Sequence, residues 1–354
     1  MNYFSAAIFT GGPKRPELTA RAIDSINNQT FGDIQKILVN NGRSTTEVRQ
    51  IFELTFRPNR IGEWTILSVP QNTYIPEDPR SVYSVPGQLL LSNLNSSFTW
   101  IQNDDDYIGI DFFERMHTNL LLSDEIVMCS GIPYKSLHDS NKIIPPDLTC
   151  FQRRPLIESG QKLFNKVIIL GDVNYDHNPG FASVIKTDLL RLAGTDFFCG
   201  GLMEYPSILQ IASAGKVIFD REARIFLGSH PNQQRIEWTR QHILTGNLYR
   251  DMRNKMKHSY HGAKKTGSFS TLNRIGIRFF FNRQIAYMSY MSVVQIKAKE
   301  SWILEDQIPR MMRVRLLFLH ARWGLSTPCS LIRIVIKEYV YPKLKVLNSN
   351  LRKR

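Results

Sequence analysis

At 354 residues, with 42% hydrophobic and 21% charged residues, the chain is long enough to bury a sizeable core, and wholesale disorder is excluded. The net charge of +14 is uneven: Arg250 to Arg354 holds 22 Lys/Arg against 5 Asp/Glu, while the rest holds 23 against 26, so a near-neutral body carries a basic region suited to an anionic partner. Four scattered cysteines (Cys129, Cys150, Cys199, Cys329) form no C-x-x-C pair, which argues against a disulfide framework or zinc knuckle.

In chain order, residues 4–10 read as a short buried strand broken by Gly11-Gly12-Pro13. Leu18, Ala22, Ile23 and Ile26 give helical spacing over Glu17 to Asn27. A second strand, Ile34 to Val39, closes on the turn sequence Asn40-Asn41-Gly42. A helix over Thr45 to Thr55 and a strand over Trp64 to Val69 complete a β-α-β-α-β run, which predicts a doubly wound parallel sheet. The segment with Pro70, Pro76, Pro79 and Pro86 is expected to be a loop. Gln88 to Leu94 returns to helix, and Phe98 to Gln102 is a strand. Asp111 to Leu122 is helical and Ile126 to Ser130 a strand, followed by a weakly patterned middle at 133–180. Beyond it come strand 181–185, helices 187–193 and 205–214, and strand 217–220.

The strand at 98–102 runs into Asn103-Asp104-Asp105-Asp106. Three adjacent carboxylates repel one another and resist burial. A hard divalent cation bridging them to phosphate oxygens relieves that cost, and the carboxyl end of a strand is where open α/β sheets bind ligands. Glu204 follows Gly200-Gly201 and opens a helix with Ile208, Leu209, Ile211 and Ala212 on one face. A glutamate there also fits simple helix-dipole stabilisation. His138, His177 and His242 have no comparable context and are expected as surface or packing residues.

Five segments in order resemble the family 2 inverting glycosyltransferases of the GT-A fold, over roughly residues 3–235. They are Thr10…Arg15-Pro16-Glu17-Leu18…Arg21-Ala22-Ile23-Asp24-Ser25-Ile26…Gln29-Thr30, Ile37-Leu38-Val39-Asn40-Asn41-Gly42, Asn103-Asp104-Asp105-Asp106, Gly200-Gly201-Leu202-Met203-Glu204-Tyr205-Pro206, and Gly228-Ser229-His230. The resemblance implies a GT-A-like α/β catalytic domain over residues 1–246, using Mg²⁺ or Mn²⁺ and a nucleotide-sugar donor. It implies Glu204 as catalytic base and metal ligands among Asp104, Asp105, Asp106 and His230. Thr10, Arg15, Asn41 and Asp104 are implied at the donor nucleotide. The sequence departs from the family at Asn40-Asn41, where an acidic residue is common, at Asn103 in place of the first aspartate, and at Met203. Gln88 matches a family position near the donor only loosely.

From about residue 247 basic residues interleave with apolar ones in helix-like stretches such as Ile275–Lys299 and Ser330–Tyr341. No nucleic-acid motif is visible, so 247–354 is expected to be a basic helical region suited to an anionic membrane surface, and nucleic acid is not an expected partner. The start, Met1-Asn2-Tyr3-Phe4-Ser5, lacks the basic and hydrophobic pattern of a secretory signal, and no long apolar window exists. The expectation is a cytoplasmic enzyme, peripheral on the inner face of the cell membrane, transferring sugar to a glycan or lipid-linked acceptor. A nucleotidyltransferase of related fold, or a catalytically inactive glycan- or membrane-binding protein, are the competing readings.

Overall fold

Phe4–Phe9, apolar except for Ser5, is buried on both faces, as a central strand requires. The computed structural model describes residues 2–11, 15–73, 81–138, 142–146, 157–164, 183–194 and 211–229, with His261 and Lys265. The strands in chain order are β1 (Asn2–Thr10), β2 (Ile34–Asn41), β3 (Trp64–Val69), β4 (Ser96–Asn103), β5 (Tyr107–Ile108), β6 (Ile126–Leu137), β7 (Lys142–Ile144), β8 (Ile157–Ser159), β9 (Ser183–Lys186) and β10 (Lys216–Ser229). They form one mixed sheet in the order β3-β2-β1-β4-β9-β6-β10-β5, with β7 beside β6 and β8 beside β10. The long ladders β3–β2, β2–β1, β1–β4 and β6–β10 are parallel, and β9, β5, β7 and β8 add short antiparallel pairings. The expected mostly parallel α/β sheet is therefore present.

Helices α1 (Pro16–Asn27), α2 (Thr45–Glu53), α3 (Ser81–Asn93), α4 (Phe112–Leu120), α5 (Gly160–Phe164) and α6 (Thr187–Ala193) surround it. On one face Phe4, Ala6, Ile8, Phe98 and Trp100 join a core with Ile23 and Ile26 of α1, Ile51 and Phe52 of α2, and Phe112, Phe113 and Met116 of α4. On the other, Ser5 donates to Gln35, whose amide donates to the Asn93 carbonyl at the end of α3, and Thr99 meets Thr187 of α6. Helices on both faces make the sheet doubly wound. Pro16 starts α1 at the position where its missing N–H costs nothing. Ser44 and Glu47 form a reciprocal capping box on α2.

Three local expectations differ. Helix α3 begins at Ser81 and contains Pro86, which the proline count assigns to a loop. One proline removes one helical hydrogen bond without ending the helix, and Leu90, one turn beyond it, is buried. Strand β6 runs on to Leu137, and β10 runs to Ser229, because each supplies the other's edge. Their ladder shifts between Phe219/Ser130 and Arg224/Ile132, so residues 220–223 bulge opposite Gly131.

The described residues belong to one of two compact units, that formed by 1–234 and 257–274. The expected basic region, 247–354, lies outside the described residues apart from His261 and Lys265. Among the described residues no helix is long and apolar enough to cross a membrane.

Candidate functional site

Strand β1 pairs in parallel with both β2 and β4, so the three chain segments leave the sheet side by side at their carboxyl ends. Thr10 ends β1, Asn41 ends β2, and Asp104 follows β4. The Thr10 hydroxyl donates to Asp104 Oδ2 at 2.8 Å, and the Thr19 hydroxyl of α1 does so at 3.4 Å. Arg43, just beyond the Gly42 turn, donates from Nε to Thr10 Oγ1 at 2.9 Å and places Nη2 3.5 Å from Asp104 Oδ2. Burial first, then the neighbouring charge of Asp105, raises the Asp104 pKa against the opposing pull of Thr10 and Arg43.

Asp106 is 5% exposed, and its Oδ1 accepts the Gly228 N–H at 2.8 Å. Burial, followed by repulsion from Asp105, pushes its carboxyl well above the usual carboxylate range, although hydrogen bonds from the Gly228 and Asn103 backbone pull the other way. The Gly228 contact depends on the β10 bulge. Asp220 accepts the backbone N–H groups of Glu222 and Ala223 at 2.8 and 3.1 Å, shaping the bulge. Its two oxygens also take the Arg115 fork of α4 at 3.1 Å each, and Oδ2 takes the Asn119 amide at 2.7 Å. Burial alone raises the Asp220 pKa, but Arg115, the two N–H groups and Asn119 together lower it overall. Beyond the bulge, Phe226 pairs with Tyr107, which carries Gly228 onto the acidic turn. A Cβ on Gly228 would lie 2.3 Å from the Asp105 carbonyl oxygen and 2.6 Å from His138 Nε2, so only glycine fits.

A second cation stands beside this turn. The Arg21 guanidinium of α1 lies 4.2 Å over the Tyr107 ring and places Nη2 2.6 Å from His138 Nδ1. Burial lowers the Arg21 pKa, opposed by the nearby charges of Tyr107, Asp105 and Asp106.

The register thus brings Thr10 and Asp104 together, with Asp106 two residues on. Asn41 is engaged otherwise: its Oδ1 takes the Thr73 N–H and hydroxyl, and its amide donates to Asn72, clasping the loop after β3. Arg15 opens α1, its carbonyl accepting the N–H groups of Leu18 and Thr19. Gln88 lies exposed on α3. Glu204, His230, His177 and His242 lie outside the described residues.

Sequence reasoning missed Arg43, Gly228's role as a donor, and the Arg21–His138 pair. Arg43 had a usable signal, since it follows a strand's carboxyl-end turn. His138 had none, because its neighbourhood arises from the extension of β6.

Among the described residues no three His, Cys, Asp or Glu side chains converge as a ready-made metal cage. The donor set at 104–106 is nevertheless all carboxylate, and burial and mutual repulsion raise the proton affinity of Asp104 and Asp106. Such a set fits a hard divalent cation that shares its remaining positions with phosphate oxygens and water.

No protein-family model matches the chain, and no curated protein matches its sequence. Among solved structures the chain is similar to TarS of S. aureus at 11% identity, covering 93% of this chain and 54% of that one, with a TM-score of 0.47. It thus spans about half of that protein's length. Similarity extends to TarS 1-349 in complex with UDP-GlcNAc at 11% identity, over 81% of this chain and 83% of that one, with a TM-score of 0.47. For TarS 1-349 in complex with UDP the identity is 13%, over 96% and 92% of the two chains, with a TM-score of 0.45. Likeness at this level carries no inference about activity, which rests on the chain's own residues.

Proposed function

We propose that this chain is an inverting, metal-dependent glycosyltransferase of GT-A type. It moves a hexosyl group from a nucleotide-diphosphate donor to a hydroxyl of a glycan or lipid-linked acceptor, in surface polysaccharide synthesis. The observation that carries the reading is the carboxylate pair of half-buried Asp104 and buried Asp106 just beyond the carboxyl end of β4, each fixed by one oxygen and both raised in proton affinity. The runner-up, a nucleotidyltransferase, needs a glycine-rich loop with an arginine and a downstream lysine after the first strand, and Gly11-Gly12-Pro13-Lys14-Arg15 echoes it only faintly.

Asp106 and Asp105 would hold Mg²⁺ or Mn²⁺, with His230 as a further ligand. Held there, such an ion would supply positive charge for the departing diphosphate. Asp104, oriented by Thr10 and Arg43, faces the nucleoside, and Arg15 pairs with a phosphate. Glu204 accepts the acceptor hydroxyl's proton as that oxygen bonds to the anomeric carbon and the diphosphate leaves from the opposite face. A single displacement of this kind inverts the anomeric centre. The basic region at 247–354 would hold the enzyme against an anionic membrane surface near its acceptor.

Two substitutions test the division of roles. Glu204→Gln should lower transfer by about 100- to 10,000-fold and leave Mn²⁺-dependent nucleotide binding nearly intact. Asp106→Ala should abolish both. Calorimetry with UDP, GDP and dTDP alongside a transfer assay reads the two quantities, and equal loss of binding in both variants contradicts the assignment.

A further inference from the structure

Arg21 of α1 is a charge enclosed on several sides. Its guanidinium lies 4.2 Å over the Tyr107 ring, Nη2 donates to His138 Nδ1 at 2.6 Å, and Nε is buried with no hydrogen-bond partner among the described residues. A buried N–H left without a partner costs stability, so the group is kept there at a loss. Tyr107 directly follows Asp106, and His138 packs at Gly228 beside the Asp105 carbonyl. The guanidinium is therefore pinned at the edge of the acidic turn. Burial lowers its pKa, and the charges of Tyr107, Asp105 and Asp106 oppose that.

What this group can do follows from what is already engaged. With one face under Tyr107, Nη2 on His138 and Nε enclosed, it acts on a ligand through its charge and not through a directed contact. A fixed positive charge repels a bare divalent cation approaching Asp105 and Asp106, and it attracts a diphosphate. A divalent cation already complexed by a nucleoside diphosphate carries net negative charge, so the same group attracts that complex mildly. The effects on bare cation and on nucleotide therefore have opposite signs.

We propose that Arg21 is a resident counter-charge of the acidic turn: it weakens the hold of Asp105 and Asp106 on a bare divalent cation, so that the cation enters chiefly together with the nucleoside diphosphate. This inference rests on the metal-dependent nucleotide-sugar reading of the site. Tyr107 and His138 hold the charge in place, and Arg21 acts on the order of binding without touching the sugar or the nucleoside.

The test uses the full chain. Binding of Mn²⁺ alone is read from the electron paramagnetic resonance of the free ion, and binding of UDP with and without Mn²⁺ from calorimetry. In Arg21→Met the Kd for Mn²⁺ alone should fall about 5- to 150-fold, the usual span of coupling between sites, while the Kd for UDP alone should rise. Affinity for the Mn²⁺–UDP complex should drop by a smaller factor. Arg21→Lys keeps the charge and should stay near wild type in all three. A residue that only supports the fold would weaken cation and nucleotide together; that result overturns the proposal, and so do unchanged affinities. If Arg21→Met does not fold, wild type still decides: it should bind Mn²⁺ more tightly with UDP than without, and equal binding overturns the proposal. These failures leave the nucleotide site standing. Absence of Mn²⁺-dependent affinity for UDP, GDP and dTDP in wild type overturns both.

Discussion

Gly228 and Asp106 show how one backbone N–H fixes the acidic turn. Gly228→Ala would drive a methyl group against the Asp105 carbonyl and His138. The expected result is a loss of about 1–3 kcal/mol in denaturant unfolding, as for other overpacked sites, together with weaker Mn²⁺-dependent nucleotide binding. Asp106→Asn tests the opposite sign. It removes a buried charge repelled by Asp105 while keeping an oxygen for the Gly228 N–H. Without added cation this variant should melt a few degrees above wild type, and Mn²⁺ should no longer raise its melting temperature. A variant that melts lower in the absence of cation contradicts the view that the carboxylates are held at a cost. The aspartate triplet was legible in the sequence because three adjacent carboxylates are unusual in themselves. Gly228 as the donor to Asp106 was not, since 122 residues separate the two.

At the scale of elements, the bulge in β10 decides where the second half of that strand runs, and Asp220 decides the bulge. Its carboxylate takes the Arg115 and Asn119 side chains and two backbone N–H groups. Asp220→Ala leaves the Asn119 amide and the Glu222 and Ala223 N–H groups without their acceptor, while Arg115 keeps Glu222 at 2.7 Å. The expected loss is about 1–3 kcal/mol, the cost of polar groups left unsatisfied, accompanied by weaker nucleotide binding because Gly228 is displaced. The pH dependence follows from the lowered Asp220 pKa. Stability from a carboxyl whose folded pKa is depressed is present above the unfolded value of about 3.9 and is lost as pH falls through the folded value. Wild type should therefore lose stability more steeply than Asp220→Asn below about pH 5, as read from melting temperatures at stepped pH. The sequence marked β10 only as Val217 to Asp220. Its continuation was hidden because residues 220–223 leave the ladder and break the alternation that marks a strand.

For the whole molecule, the charge imbalance is the dominant feature: 22 basic against 5 acidic residues from Arg250 onward, on a body with 23 against 26. Basic stretches interleaved with apolar residues bind anionic lipid through charge, and salt screens that attraction over about 8–10 Å at physiological strength. The full chain should sediment with phosphatidylglycerol vesicles in low salt, release as salt rises, and ignore phosphatidylcholine vesicles. Binding that is equal to both lipids and unaffected by salt would sink the membrane-surface reading.

The sequence by itself determined the β-α-β-α-β order, the short buried strand at residues 4–10 and the position of the aspartates at a strand's end. Each of these is written in hydrophobic period or charge along a few consecutive residues. Tertiary structure alone decided that Thr10, Arg43 and Asp104 meet, that Asn41 clasps the Asn72–Thr73 loop, and that Gly228 donates to Asp106. Those contacts depend on which strands lie side by side and on where a ladder slips. Strand neighbours and register are set by packing between distant segments, and no local pattern records them.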